Sequence, residues 1–184
     1  MRRYLLPSVV SVVAVALLAV LAFGVAKSGP GNALAARVSS GQTPPAPNDR
    51  MRLQVLGSNR YVSLRQLRGK VVMLNVFAGW CTACAAETPI LRHAQQVLAA
   101  HGGELVGVTY QDSSTDAASY MRRYRLTYPV LLDPGDRFVA PYGVNGVPET
   151  FIIGRNGEVV AARTYQLSSQ WTNQTLDRVL GLSA

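Results

Sequence analysis

Val71-Val72-Met73-Leu74-Asn75-Val76-Phe77 runs directly into Ala78-Gly79-Trp80-Cys81-Thr82-Ala83-Cys84. The first segment is apolar at every position but Asn75, which predicts a strand buried on both faces, as in a parallel sheet. The second holds the only two cysteines of the chain. A helical pattern follows from Thr82 to about Ala100, with Ile90, Leu91, Ala94, Val97 and Leu98 on its inner face. His101-Gly102-Gly103 stops it. Strand, turn and helix place Cys81 at a helix N-terminus, where unpaired N–H groups lower a thiol's pKa. Cys81 is therefore assigned as the attacking thiolate. Cys84, one turn further in, is expected to be less exposed and to resolve the mixed disulfide. Trp80 is placed to shield one side of the sulfur. This is the local pattern of a reversible dithiol/disulfide couple.

Outward from this segment the chain alternates strand and helix. Leu53 to Leu56 and Tyr61 to Ser63 predict two short strands around the turn Gly57-Ser58-Asn59-Arg60, an N-terminal hairpin. Ser63 precedes a short helical turn that Gly69 ends. Further strands are expected over Leu105 to Tyr110, Tyr128 to Leu132, Thr150 to Ile153 and Glu158 to Thr164. The last two are joined by the turn Arg155-Asn156-Gly157. Helices are expected from Thr115 to Tyr124, from Arg137 to Tyr142, and from Ser168 or Ser169 to about Leu180. Together these elements predict an α/β fold with a central mixed sheet covered by helices on both faces.

The N-terminus reads differently. Met1-Arg2-Arg3-Tyr4 is basic, and Leu5 to Ala26 carries no charge. About 20 apolar residues cross a bilayer core, whereas the apolar region of a cleaved signal is about 7–15 residues. Residues 1–27 are expected to be an uncleaved signal anchor, a single transmembrane segment. Ala33-Leu34-Ala35 is the processing site of the cleaved alternative. Arg2 and Arg3 favour a cytoplasmic N-terminus, so the remainder lies on the periplasmic or outer side of the cell membrane. Residues 28–50, rich in Gly, Ala, Ser and Pro and ending in Thr43-Pro44-Pro45-Ala46-Pro47, are expected to form a linker. The globular domain is expected over 51–184.

The formal net charge is +8, which raises the question of nucleic acid. The arginines are spread singly except in Arg122-Arg123-Tyr124-Arg125, and several lie in the anchor and linker. No nucleic-acid partner is expected; an anionic membrane surface accounts for the charge. Other uses of the Cys pair fit less well. A structural disulfide closing so short a loop constrains little of the unfolded chain. Zinc needs four ligands, and only His93 and His101 remain as candidates beside the thiols. Copper(I), which soft sulfur ligands suit, stays open as a second reading.

Gly69-Lys70-Val71-Val72 through Cys84, followed by Glu87 and Pro89, resembles the thioredoxin-like TlpA/ResA/CcmG (DsbE) family. Gly146-Val147-Pro148-Glu149-Thr150-Phe151 is a second, independent match, nearest to the CcmG/DsbE branch. The resemblance covers the chain from about Met51. It implies a thioredoxin-like fold and a membrane-anchored thiol–disulfide oxidoreductase with no metal and no cofactor beyond the Cys81–Cys84 pair. It implies disulfide reduction in c-type cytochrome maturation. The substrate would be apocytochrome c or an intermediary thiol protein, and the electron donor a membrane protein of the CcdA/DsbD type. The alternatives are a DsbE-like oxidant of secreted proteins and a copper(I)-binding chaperone on the same fold.

The resemblance also assigns residues. Pro148 matches the family's cis-proline opposite the Cys pair, and with Trp80, Val147 and Glu149 it belongs to the expected substrate groove. Glu149 matches an acid that tunes the thiols or selects partners. Glu87 matches an acid near the cysteines which, when buried, has a raised pKa and moves a proton as the disulfide opens. Asn75 stands where thioredoxin has a buried acid, which shifts the proton-carrying role to Glu87. Pro89 matches a helix-kinking proline. Two departures flank the sulfurs: Thr82-Ala83 lacks the proline many relatives place before the second cysteine, and Ala85-Ala86 replaces an often basic position.

Overall fold

The computed structural model describes residues 33–182. The signal anchor expected at 1–27 lies outside them, and no described helix is long and apolar enough to cross a membrane. Seven strands form one sheet: β1 (Leu53–Val55), β2 (Tyr61–Val62), β3 (Val72–Phe77), β4 (Glu104–Thr109), β5 (Val130–Leu132), β6 (Glu149–Ile153) and β7 (Val159–Arg163). Their order is β2-β1-β5-β4-β3-β6-β7. β3, β4 and β5 are parallel neighbours, while β6, β7 and the β1–β2 hairpin pair antiparallel. The helices are α1 (Ala33–Ser39), α2 (Thr82–Ala86), α3 (Thr88–Ala100), α4 (Ser114–Arg123) and α5 (Ser169–Leu180). The mixed sheet and its N-terminal hairpin follow the sequence pattern closely.

All six residues of β3 are buried, and the strand's alternation divides them between two cores. Met73 and Phe77 pack with Leu91, Leu98, Tyr120 and Leu176 from α3, α4 and α5. Val72, Leu74 and Val76 pack on the other face with Phe138, Tyr142 and Phe151. Asn75 shares the face of Met73 and Phe77, toward the helix that carries the cysteines. α4 and α5 begin at serine caps, where the Ser113 and Ser168 hydroxyls accept the N–H groups of Asp116 and Trp171.

The helix expected from Arg137 to Tyr142 is only a 3₁₀ turn, Ala140–Tyr142, and the structure departs from the expected pattern in two larger respects. The helix expected from Thr82 to Ala100 is interrupted at Glu87. Pro89 has no N–H to give the Ala85 carbonyl, and the Thr88 hydroxyl donates to that carbonyl instead, at 2.9 Å. The second departure concerns the linker expected over 28–50. From Ala33 this stretch is folded against the domain. α1 packs on β7, and Leu34 and Ala46 are buried in the second core. Pro44 and Ala46 bracket the edge of β7: the Val159 N–H donates to the Pro44 carbonyl at 2.8 Å and the Ala46 N–H to the Gly157 carbonyl at 2.9 Å. Pro44, Pro45 and Pro47 carry no N–H, so this segment offers few donors to a further strand at that point of the edge.

Leu34→Ala is expected to lower stability by about 2 kcal/mol in chemical denaturation, as loss of a buried leucine does. An unchanged unfolding midpoint would mean that the segment is solvated rather than packed.

Candidate active site

β3 ends at Phe77, and the chain turns so that the Cys81 N–H donates to the Ala78 carbonyl at 3.1 Å. Cys81 is the N-cap of α2, and its Sγ accepts the Cys84 N–H at 3.0 Å. Cys81 and Cys84 are joined in a disulfide, with Cα atoms 5.3 Å apart. Cys81 is 6% exposed and Cys84 1%, so the sulfur within reach of a partner is that of Cys81. α2 has only five residues. A thiolate on Cys81 is therefore stabilised chiefly by the local N–H groups, with little support from a long helix dipole.

The turn before Cys81 is held from the β4–α4 loop, an arrangement with no local signal in the sequence. The Gly79 N–H donates to Asp112 Oδ2 at 2.7 Å, and the Trp80 indole N–H donates to the Gln111 carbonyl at 3.1 Å. Gln111 adopts φ +45°, a left-handed conformation unusual for a residue with a side chain. Its N–H donates to Asp136 Oδ1 at 2.9 Å. Burial pushes the Asp112 carboxyl above its ordinary range, against the lowering effect of the Gly79 and Ser113 N–H groups. Gly79 is required here, since a Cβ would stand 2.8 Å from the Asp116 carbonyl oxygen. Trp80 is pinned at its nitrogen while its ring stays 59% exposed, so it walls one side of the site rather than covering it.

Glu87 is wholly buried, with 0% exposure. One carboxylate oxygen accepts the Leu167 N–H from the loop before α5; the other has no partner. Burial raises its pKa to about 7, while the Leu167 N–H and, less strongly, the Asn75 carboxamide lower it. Asn75 donates to Thr150 Oγ1 at 3.1 Å, and its own Oδ1 is unpartnered. Glu87 is thus a carboxyl that both gains and loses a proton near neutral pH, three residues after Cys84.

The Val147–Pro148 peptide is cis. Strand pairing sets Glu149 opposite Val76, so Val147 and Pro148 enter at the same end of the sheet where β3 hands over to Cys81. Val147 is half-buried and Pro148 buried. Glu149 is buried at the start of β6, with one oxygen unpartnered. Its pKa is raised to about 7 by burial, against the Asn145 backbone N–H. His93 is exposed on α3, and His101 caps that helix with Nδ1 2.8 Å from the Val97 carbonyl. Among the described residues no three His, Cys, Asp or Glu side chains are grouped to hold a metal.

A reversible disulfide at the strand-to-helix turn of a mixed sheet, with a cis-proline entering at the same sheet end, defines a thioredoxin-like thiol–disulfide oxidoreductase. The chain belongs to the Redoxin family, whose model matches residues 41–180. It is 29% identical over 116 residues to the thiol-disulfide oxidoreductase ResA of Geobacillus thermodenitrificans, covering 63% of this chain and 67% of that one. It is 31% identical over 107 residues to ResA of Bacillus subtilis, covering 58% and 60%. The chain thus spans about two thirds of the length of these curated relatives. A crystal structure from Chlorobium tepidum, assigned as thiol:disulfide interchange protein DsbE, superposes with a TM-score of 0.69. That match has 27% identity and covers 76% of this chain and 98% of the other. The resemblance to the TlpA/ResA/CcmG family is borne out.

The raised pKa of Glu87 sets a sign. An acid whose folded pKa of about 7 exceeds its unfolded value of about 4.5 favours folding while protonated. That contribution is complete below about pH 4.5 and is lost as pH rises through about 7. Glu87→Gln is therefore expected to be more stable than the parent at pH 8, by up to ~3 kcal/mol, with the difference vanishing at pH 4. Equal stabilities at both pH values in urea titrations would contradict the burial of a neutral carboxyl. Gly79→Ala is expected to lose about 2 kcal/mol through overpacking against Asp116, and to slow thiol–disulfide exchange; an unaffected rate would show that the turn needs no clamp.

Proposed function

We propose that this chain is a membrane-anchored thiol–disulfide reductase with its redox domain on the extracytoplasmic side, acting in c-type cytochrome maturation. The direction rests on one observation. The ionisable groups fixed beside the active-site turn are acids: Asp112 on Gly79, and Glu87 at the end of α2, which carries charge only as pH rises through about 7. The helix that stabilises a thiolate on Cys81 is one of only five residues. Strong oxidants of this fold owe their potential to a stabilised reduced form. Carboxylates nearby and a short helix withhold that stabilisation, which favours the disulfide in the protein and reduction of the partner.

In the reduced protein the Cys81 thiolate attacks one sulfur of the partner's disulfide, and the other partner sulfur leaves as a thiolate. A mixed disulfide now joins Cys81 to the partner. The Cys84 thiol passes its proton to the Glu87 carboxylate, and the resulting thiolate displaces the partner from Cys81. Two electrons have moved to the partner and the Cys81–Cys84 disulfide has formed. Pro148 and Val147 offer backbone groups to an extended substrate and Trp80 borders it, while Glu149, expected in the same groove, is buried and presents almost no surface to it. The uncharged run Leu5 to Ala26 supports the anchor. The family resemblance supports apocytochrome c or an intermediary thiol protein as substrate, and a donor of the CcdA/DsbD type for reduction of the resting disulfide.

Cys84→Ser, expressed in cells, blocks resolution and holds the partner on Cys81. Apocytochrome c or a thiol protein serving it is the expected species in the trapped disulfide. Trapping of assorted secreted proteins bearing newly forming disulfides would point to an oxidant instead. Cys81→Ser in the same background is expected to trap nothing.

A further inference from the structure

A recess of about 270 Å³ opens beside Trp80. Its floor is α4, which contributes Asp116, Ser119 and Arg123, and its wall is the exposed Trp80 ring. The Asp116 end abuts the active-site turn, since its carbonyl lies against Gly79. The carboxylate of Asp116 is held in place by the Ser113 hydroxyl at 2.8 Å. Arg123 lies seven residues on, two helical turns and about 10 Å along the axis. Both side chains are exposed. The ion pairs among the described residues are Arg68–Asp49 and Lys70–Glu104, so Arg123 is in none of them. The recess is therefore polarised: its charged lining residues are Asp116 at the end toward the active-site turn and Arg123 at the far end. Basic residues in the last turn suit the helix dipole, but that does not account for an exposed aromatic wall joining them to the redox site.

We propose that this recess docks an extended segment of the partner polypeptide beside its reacting cysteine, with a basic side chain against Asp116 and an acidic one against Arg123. An extended chain advances about 3.3 Å per residue, so the two charges stand three residues apart, the basic one nearer the cysteine. The apolar face of Trp80 covers the residues between them. The inference rests on the thiol–disulfide exchange activity and adds to it the charge pattern of the substrate.

Two peptides of identical composition and zero net charge test it. One is Glu-Ala-Ala-Lys-Ala-Cys-Ala-Lys-Ala-Ala-Glu, with lysine near the cysteine on both sides; the other exchanges every lysine and glutamate. Each is offered as its disulfide-linked homodimer to the reduced full-length protein, and release of peptide thiol is followed. Each turnover opens one peptide disulfide, closes Cys81–Cys84 and frees two peptide thiols. The lysine-near peptide is expected to react about five-fold faster at low salt, and the preference is expected to vanish at 0.5 M salt. Exchanging the charges in Asp116→Lys/Arg123→Glu is expected to invert it. Arg123→Gln, a change at an exposed position that leaves the α4 cap intact, is expected to reduce it at least two-fold. Equal rates in the parent protein, the opposite preference, a preference undiminished by Arg123→Gln, or one that persists at 0.5 M salt would overturn the docking proposal. Failure of the protein to open either peptide would instead overturn the exchange activity on which the proposal rests.

Discussion

Burial of β3 on both faces is the constraint from which the site follows. A strand with no exposed residue has to be flanked by strands and covered by helices on each side. The chain leaving its C-terminal end therefore emerges at the rim of the sheet and turns directly into a helix. Cys81 sits at that turn, where its sulfur accepts an N–H and still reaches solvent, while Cys84 is carried under it. Pairing of β3 with β6 brings Val147, Pro148 and Glu149 to the same rim. Parallel pairing with β4 brings the loop of Gln111 and Asp112. Three segments distant in sequence thus meet around one disulfide because one strand is buried.

The site combines this rigid frame with two buried acids that are costly to ionise. Glu87 and Glu149 each have an unpartnered oxygen, and burial raises both toward neutral pH. A buried polar group without a partner lowers stability, which argues that these side chains serve something other than packing. Glu87 is joined to the loop before α5 through Leu167 and faces Asn75 from the sheet. In the proposed mechanism this is the group that takes the proton of Cys84. Asn75, in the position of thioredoxin's buried acid, contributes a carboxamide that cannot titrate.

Much of this was legible in the sequence because its signals are local. The apolar run from Val71 to Phe77 and the Cys pair after it each announced their element, and the Ser168-Ser169 pair marked the start of α5 without deciding between the two. The exposure order of Cys81 and Cys84 followed from their helical spacing. What was hidden is long-range. The break at Glu87 depends on Thr88 taking over the Ala85 carbonyl that Pro89 cannot serve, and the helical periodicity continues through it. The segment 33–48 has the composition of a linker, yet Leu34 and Ala46 find a core and the prolines cap the edge of β7. Asp112 and Gln111 support the active-site turn from 33 and 31 residues away in sequence, and nothing near them marks that role. The burial of Glu149, adjacent to a proline in what reads as a loop, comes from a strand that begins one residue sooner than its β-branched pattern indicates.

The proposed direction, reduction of the partner, requires that the surroundings of Cys81 and Cys84 favour their disulfide. Equilibration of the full-length protein with a dithiothreitol redox buffer at pH 7 gives its reduction potential. A value close to thioredoxin's, about −270 mV, is the result predicted by a short helix and neighbouring carboxylates. A value near about −120 mV, where the reduced form is strongly stabilised, would contradict it.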